Sequence, residues 1–141
     1  MPNPFRNARA VFFDIDGTLL NVFPAHIASY ENAFHHVTGI RVTDPEFFKN
    51  RFQLGSDRRV WQDALRTYGR TPDEQTLDKL LTRRPSELAA LSHKITPAHV
   101  LEGALLTLER LKAQKIRLFA VSGNTRLVGE QLLTNTGLRR F

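Results

Sequence analysis

Apolar positions along the chain switch between two spacings, and the switches predict the order of elements. Ala10-Val11-Phe12-Phe13 is a continuous apolar run that ends in the polar turn Asp16-Gly17-Thr18. Such a run reads as a strand buried on both faces, the kind found in parallel sheets. From Pro24 the spacing becomes helical: Ile27, Tyr30, Ala33, Phe34 and Val37 share one face, and Gly39 can stop the helix. Phe47, Phe48 and Phe52 suggest a short amphipathic helix over residues 45–52, with the aromatics as core. Val60, Trp61, Leu65 and Tyr68 predict another, stopped by Gly69.

Thr71-Pro72-Asp73-Glu74 reads as a helix start, with Thr71 as cap, Pro72 in the first turn and Glu74 closing a capping box. Leu77, Leu80 and Leu81 form its apolar side. Pro85 is expected to break or kink this helix, with Ser86 capping a new one through Leu88 and Leu91. Past the boundary at Pro97, Ala104, Leu105, Leu108 and Leu111 form a helical stripe. Residues 116–121 read as a second strand, Ser122-Gly123-Asn124-Thr125 as a turn, and a last helix runs toward Gly137. The order is strand, a long helical stretch, then helix, strand and helix. That is half of an α/β fold with a helical insertion after its first strand. Ligands in such folds gather outside the carboxyl ends of the strands, where both polar turns fall.

Composition changes little. At 141 residues, with 41% hydrophobic and 24% charged residues, the chain suits one modest soluble domain. It has no cysteine, which excludes disulfides and thiolate metal sites. No apolar run approaches the roughly 20 residues that span a bilayer. The first ten residues lack the apolar centre of a secretory signal, so a cytoplasmic protein without a membrane partner is expected. The net charge of +6 raises the question of nucleic acid. All of the imbalance lies in residues 110–141, where seven basic residues face Glu130 alone. Phe119 and Phe141 are the only aromatic residues among these charges, too few for a stacking surface, so no nucleic-acid partner is expected. His26, His35 and His36 lie on or near the first helix. His35 and His36 point in different directions, so packing or surface roles are expected rather than a metal site.

The chemistry concentrates in the two turns. Asp14 and Asp16 at one strand end are compatible with a solvated turn or a helix cap, since Asp and Gly favour both. They are equally compatible with a reactive pair. Close carboxylates repel each other unless a cation intervenes, and Mg²⁺ prefers such hard oxygen ligands. An ionised carboxylate can attack phosphorus without first losing a proton. A neighbouring carboxyl can protonate a leaving oxygen and later activate water. In the second turn, the Ser122 hydroxyl and backbone amides just before a helix suit an anion, although a Ser/Asn cap would look the same.

The stretch VFFDIDGTLL, residues 11–20, resembles the first motif of the haloacid dehalogenase-like (HAD) hydrolase superfamily. IRLFAVSGN, residues 116–124, is similar to its second motif, a strand ending in Ser or Thr. The helical insertion resembles that superfamily's cap domain, and residues 55–69 look like the cap segment of phosphoglycolate-phosphatase-like members. The resemblance implies a Rossmann-type parallel-sheet core over residues 1–20 and 97–141, with a helical cap domain over 21–96. It implies a Mg²⁺-dependent phosphatase acting on a small phosphorylated metabolite, with Asp14 as nucleophile and Asp16 as general acid/base. Asp14 and Asp16 would hold the metal. Gly17, Thr18, Ser122, Gly123 and Asn124 would hold the phosphate. Gly55, Asp57 and Arg58 would belong to a substrate-selecting loop, although Arg58 and Arg59 read equally well as solvated charges. Asp16 favours phosphate esters over halides, because halide needs no proton on departure.

The superfamily pattern continues with a lysine and one or two acidic residues beyond the second motif. After Ser122 the chain offers no lysine, and Glu130 is its only acid. The resemblance therefore leads us to expect the N-terminal part of a longer phosphatase. An inactive remnant that binds phosphate or a protein, and a dehalogenase- or phosphomutase-like member, are the alternatives. The oligomeric state is left open.

Overall fold

The computed structural model describes residues 7–141. The stretch 1–6, most of the segment read above as lacking a signal centre, lies outside them. The chain divides into two compact units, one built from residues up to Phe23 and from Ser92 onward, the other from Pro24–Leu91.

In the first unit, β1 (Ala10–Asp14) and β2 (Arg117–Val121) pair in parallel. The helix α5 (Ala104–Ala113) precedes β2, and α6 (Arg126–Asn135) follows it. The fold class is α/β with a parallel sheet. Ile15, Leu19, Leu20, Leu108, Leu111, Val128 and Leu132 are buried and form its core. The expectation of strands buried on both faces is corrected. Phe12 is 66% exposed, and Phe12 and Phe119 stack on the outer face with ring centroids 5.0 Å apart. Period-2 alternation sends these rings outward while Val11, Phe13 and Leu118 turn toward the half-buried side.

The second unit is helical: α1 (Phe23–Thr38), α2 (Phe47–Arg51), a 3₁₀ turn (Phe52–Leu54), α3 (Asp57–Thr67) and α4 (Glu74–Ser92). Its core is aromatic. Trp61 is fully buried and packs against Tyr30, Phe34 and Phe48. Leu65, Leu77 and Leu80 close the cluster.

Two sequence expectations fail here for local reasons. The helix does not break at Pro85: α4 runs through it to Ser92, and Ser86 lies inside the helix rather than capping a new one. Proline removes one backbone donor, but burial of Leu77, Leu80 and Leu88 on both sides of it holds the helix together. Thr71 is also not the cap. The Asp73 carboxylate accepts the Thr76 N–H at 2.9 Å, and the helix begins at Glu74. Asp is as good a cap as Thr, and here it directly precedes the first helical turn.

The backbone hydrogen bond from Thr76 holds the Asp73 carboxyl below its ordinary pKa. A group lowered in this way adds stability at neutral pH. That contribution fades as pH falls through about 4 and lower. Asp73→Asn keeps the cap without the titration. It is expected to leave the melting temperature at pH 7 nearly unchanged and to flatten its decline below pH 4, as followed by circular dichroism.

Candidate functional site

Parallel pairing fixes which residues leave the sheet together. Asp14 is in register with Val121, the last residue of each strand. Asp16 and Ser122 therefore start two turns side by side at the carboxyl end of the sheet. The first turn closes tightly. The Ile15 carbonyl accepts the N–H groups of Leu19 and Leu20 at 3.0 Å each, and the Thr18 N–H lies at 3.4 Å. Gly17 donates to Leu20 O at 2.8 Å. It does so at φ +77°, a left-handed conformation that glycine adopts without steric cost. Ile15, between the two aspartates, is buried, so alternation leaves Asp14 exposed and Asp16 half-buried on the other side of the chain.

The second turn is closed by its own side chains. The Asn124 N–H donates to Ser122 Oγ at 3.1 Å. Thr125 caps α6 by accepting the Val128 N–H at 3.4 Å. A bond across the two turns joins them: Asn124 Nδ2 donates to Asp16 Oδ2 at 2.5 Å. Gly129 of α6 brings that helix close to Ile15, since a Cβ there would stand 3.6 Å from Ile15 Cδ1.

The structure thus brings Asp14, Asp16, Gly17, Thr18, Ser122, Gly123 and Asn124 to one end of one sheet. The Gly17 and Thr18 amides are used inside the first turn, while the Thr18 side chain is exposed. Glu130 lies on α6, where Arg126 binds its carboxylate at 2.8 Å and holds its pKa below the ordinary value. A cleft of about 380 Å³ beside the second turn is lined by Ser122, Asn124, Thr125, Arg126 and Glu130, among others.

Gly55, Asp57 and Arg58 belong to the other unit, and two of them have partners inside it. Ser56 caps α3, so Asp57 and Arg58 form a helical first turn rather than a loop. Arg58 forms a two-pronged pair with Glu74 at 2.9 and 3.0 Å. Asp57 accepts from the Tyr30 hydroxyl and from Arg84 Nη1, the latter at 2.8 Å. Arg84 also reaches His26 Nδ1 at 2.8 Å and lies over the Tyr30 ring, 4.1 Å from its centroid. Burial first, and then the bond to Asp57, hold the Tyr30 hydroxyl above the ordinary phenol pKa. His26 is accordingly a packed histidine.

Sequence reading missed the brace beneath the first turn. Asn21 N–H donates to His99 O at 2.8 Å, Leu101 N–H to Leu19 O at 2.9 Å, and Leu20 bridges Val100. Pro97–His99 forms a 3₁₀ turn, and the Thr96 N–H donates to His99 Nδ1 at 3.1 Å. The only sequence signal was Pro97, which read simply as a boundary.

As for a metal, no group of three or more His, Cys, Asp or Glu side chains converges among the described residues. Asp14 and Asp16 offer two hard oxygen donors on one turn. That set fits Mg²⁺, which is commonly held by one or two carboxylates plus water and substrate phosphate.

The sequence profile of haloacid dehalogenase-like hydrolases matches residues 8–141, nearly the whole chain. The chain belongs to the haloacid dehalogenase-like hydrolases. None of the curated proteins matches it in sequence. Among solved structures, a predicted phosphoglycolate phosphatase from Haemophilus somnus 129PT is similar with TM-score 0.74 and 20% identity, over 94% of this chain and 59% of that one. CbbY from Rhodobacter sphaeroides, solved with phosphate, is similar with TM-score 0.71 and 19% identity, over 91% and 56%. β-Phosphoglucomutase from Clostridium difficile is similar with TM-score 0.66 and 21% identity, over 92% and 57%. At these identities the likeness establishes a shared fold with this HAD-like chain. The chain spans less than two thirds of the length of each of these structures.

Proposed function

We propose that the protein to which these 141 residues belong hydrolyses phosphate monoesters through an aspartyl-phosphate. The observation that carries this reading is the pairing of the two turns. Asp14 stands exposed at the strand end, and Asp16 is bonded across to Asn124 beside Ser122. The family assignment and the phosphate-bound relative support it.

In the first step an oxygen of Asp14 forms a bond to phosphorus while the bond to the ester oxygen breaks. Asp16 gives its proton to that oxygen, and an alcohol leaves. In the second step water attacks phosphorus and Asp16 takes its proton. The phosphorus–Asp14 bond then breaks, releasing inorganic phosphate and restoring both carboxyl groups. The Ser122 hydroxyl accepts from Asn124 N–H, so its own hydrogen is available to donate to a phosphoryl oxygen. The Gly123 amide adds a second donor in this reading, and Thr18 offers its hydroxyl from the first turn. Mg²⁺, held by the Asp14 carboxylate and the Asp16 backbone carbonyl, would supply positive charge against the phosphoryl group.

A small phosphorylated metabolite is the proposed substrate, in keeping with the modest cleft beside Ser122. Residues 24–91 are assigned the role of cap domain. No helix among the described residues is long and apolar enough to cross a membrane.

A screen of phosphate monoesters with and without Mg²⁺ tests the reading. Phosphate release is expected with Mg²⁺ and is expected to fall by at least ~10²-fold in excess chelator. Equal release in chelator would remove the metal from the account, and release of halide from a haloacid in place of phosphate would point to the dehalogenase branch.

A further inference from the structure

We infer that Asn124 is the positioning residue for Asp16, holding the proton-transferring carboxyl in place through its side-chain amide. The inference rests on the phosphatase reading and assigns a job to a residue whose motif position suggested phosphate binding.

Three observations carry it. The Asn124 amide spends a hydrogen on Asp16 Oδ2, at 2.5 Å and across 108 residues of sequence. Its backbone N–H is committed to Ser122 Oγ. Two of its three donor hydrogens therefore organise side chains of the site. Thirdly, Asn124 is itself fixed from both sides. It follows β2, whose register to β1 sets its height, and it precedes the Thr125 cap that starts α6. A donor anchored by a strand and a helix can hold a carboxyl on a glycine-containing turn in one rotamer, as the transfer of a proton requires.

The residue type suits the task. A lysine or arginine here would lock Asp16 into an ion pair, and a carboxylate would repel it. An amide is neutral. It donates through Nδ2 to a carboxylate, and it can turn Oδ1 to accept from a carboxylic acid. It therefore serves Asp16 on both sides of a proton transfer.

The test separates positioning from folding and from the phosphatase reading itself. Asn124→Ala and the near-isosteric Asn124→Asp are compared on two classes of phosphate monoester. Aryl phosphates depart without help, whereas alkyl phosphates need the proton from Asp16. Read on the first turnover, which ends before the water step that both classes share, both variants are expected to lose ~10²-fold in the rate of alcohol release from alkyl phosphates and threefold or less from aryl ones, with the half-saturating concentration little changed. Equal losses of this rate on the two classes, or a loss confined to the half-saturating concentration, would overturn the inference. An activity-independent arm uses the side-chain NH₂ signal of Asn124 in nuclear magnetic resonance. One of its two protons is expected downfield and protected from solvent exchange, and Asp16→Ala is expected to move it to the ordinary position. If Asp16→Ala leaves the signal unmoved, the inference fails. A protein that turns over no phosphate ester refutes the phosphatase reading, and the amide signal then still decides whether Asn124 holds Asp16.

Discussion

Replacing Asp14 by asparagine is expected to stop turnover of every phosphate monoester while leaving the fold intact. The amide is the same size as the carboxylate and sits exposed at the end of β1, so no packing is lost. What disappears is the nucleophile. An asparagine oxygen carries no full negative charge, and the neutral side chain is a poor attacker of phosphorus. Loss of a covalent nucleophile in a site of this logic typically costs roughly 10⁴–10⁶-fold in kcat. Melting temperature should move little, because an exposed side chain away from a core contributes only tenths of a kcal/mol. The check is kcat alongside a thermal melt. Asp14→Asn with turnover near that of the parent would show that another group attacks.

The second large effect is on stability and belongs to the helical unit. Trp61→Ala is expected to destabilise it by about 3–5 kcal/mol, the range for removing a large buried aromatic. Trp61 is fully buried, lies 4.9 Å from the Tyr30 ring centroid, and stacks nearly parallel to Phe34 at 6.4 Å. Its indole Nε1 is buried without a hydrogen-bond partner among the described residues. Trp61→Phe removes that orphan donor and keeps most of the ring, so its cost should be about 1.5 kcal/mol or less. Urea unfolding followed by circular dichroism separates the two. Equal losses for Ala and Phe would mean that the indole N–H has a role the packing does not show.

The sequence made the ends of the strands legible because chemistry and punctuation coincide there. Asp14, Gly17, Ser122 and Asn124 each interrupt an apolar run, and all four fall at one end of the sheet. It did not make the register legible. Nothing in either strand says that Asp14 faces Val121, and the bond from Asn124 to Asp16 follows only once that register is set.

In the helical unit, hydrophobic period located α1, α3 and α4, but long-range polar partners left no local trace. Asp57 looked like a loop acid beside two arginines. It is instead bound by Tyr30 and Arg84, each 27 residues away. Pro85 was read by its local propensity, which the burial of flanking leucines overrides.

The most direct measurement is to quench the Mg²⁺-loaded protein with acid during turnover of a phosphate ester, digest it, and locate any phosphoryl group by mass spectrometry. One phosphoryl group is expected, on the peptide carrying residue 14, lost on treatment with hydroxylamine and absent from Asp14→Asn. A phosphoryl group on a histidine or serine instead, or sustained turnover with none trapped on the peptide carrying residue 14, would contradict the assignment of Asp14 as nucleophile.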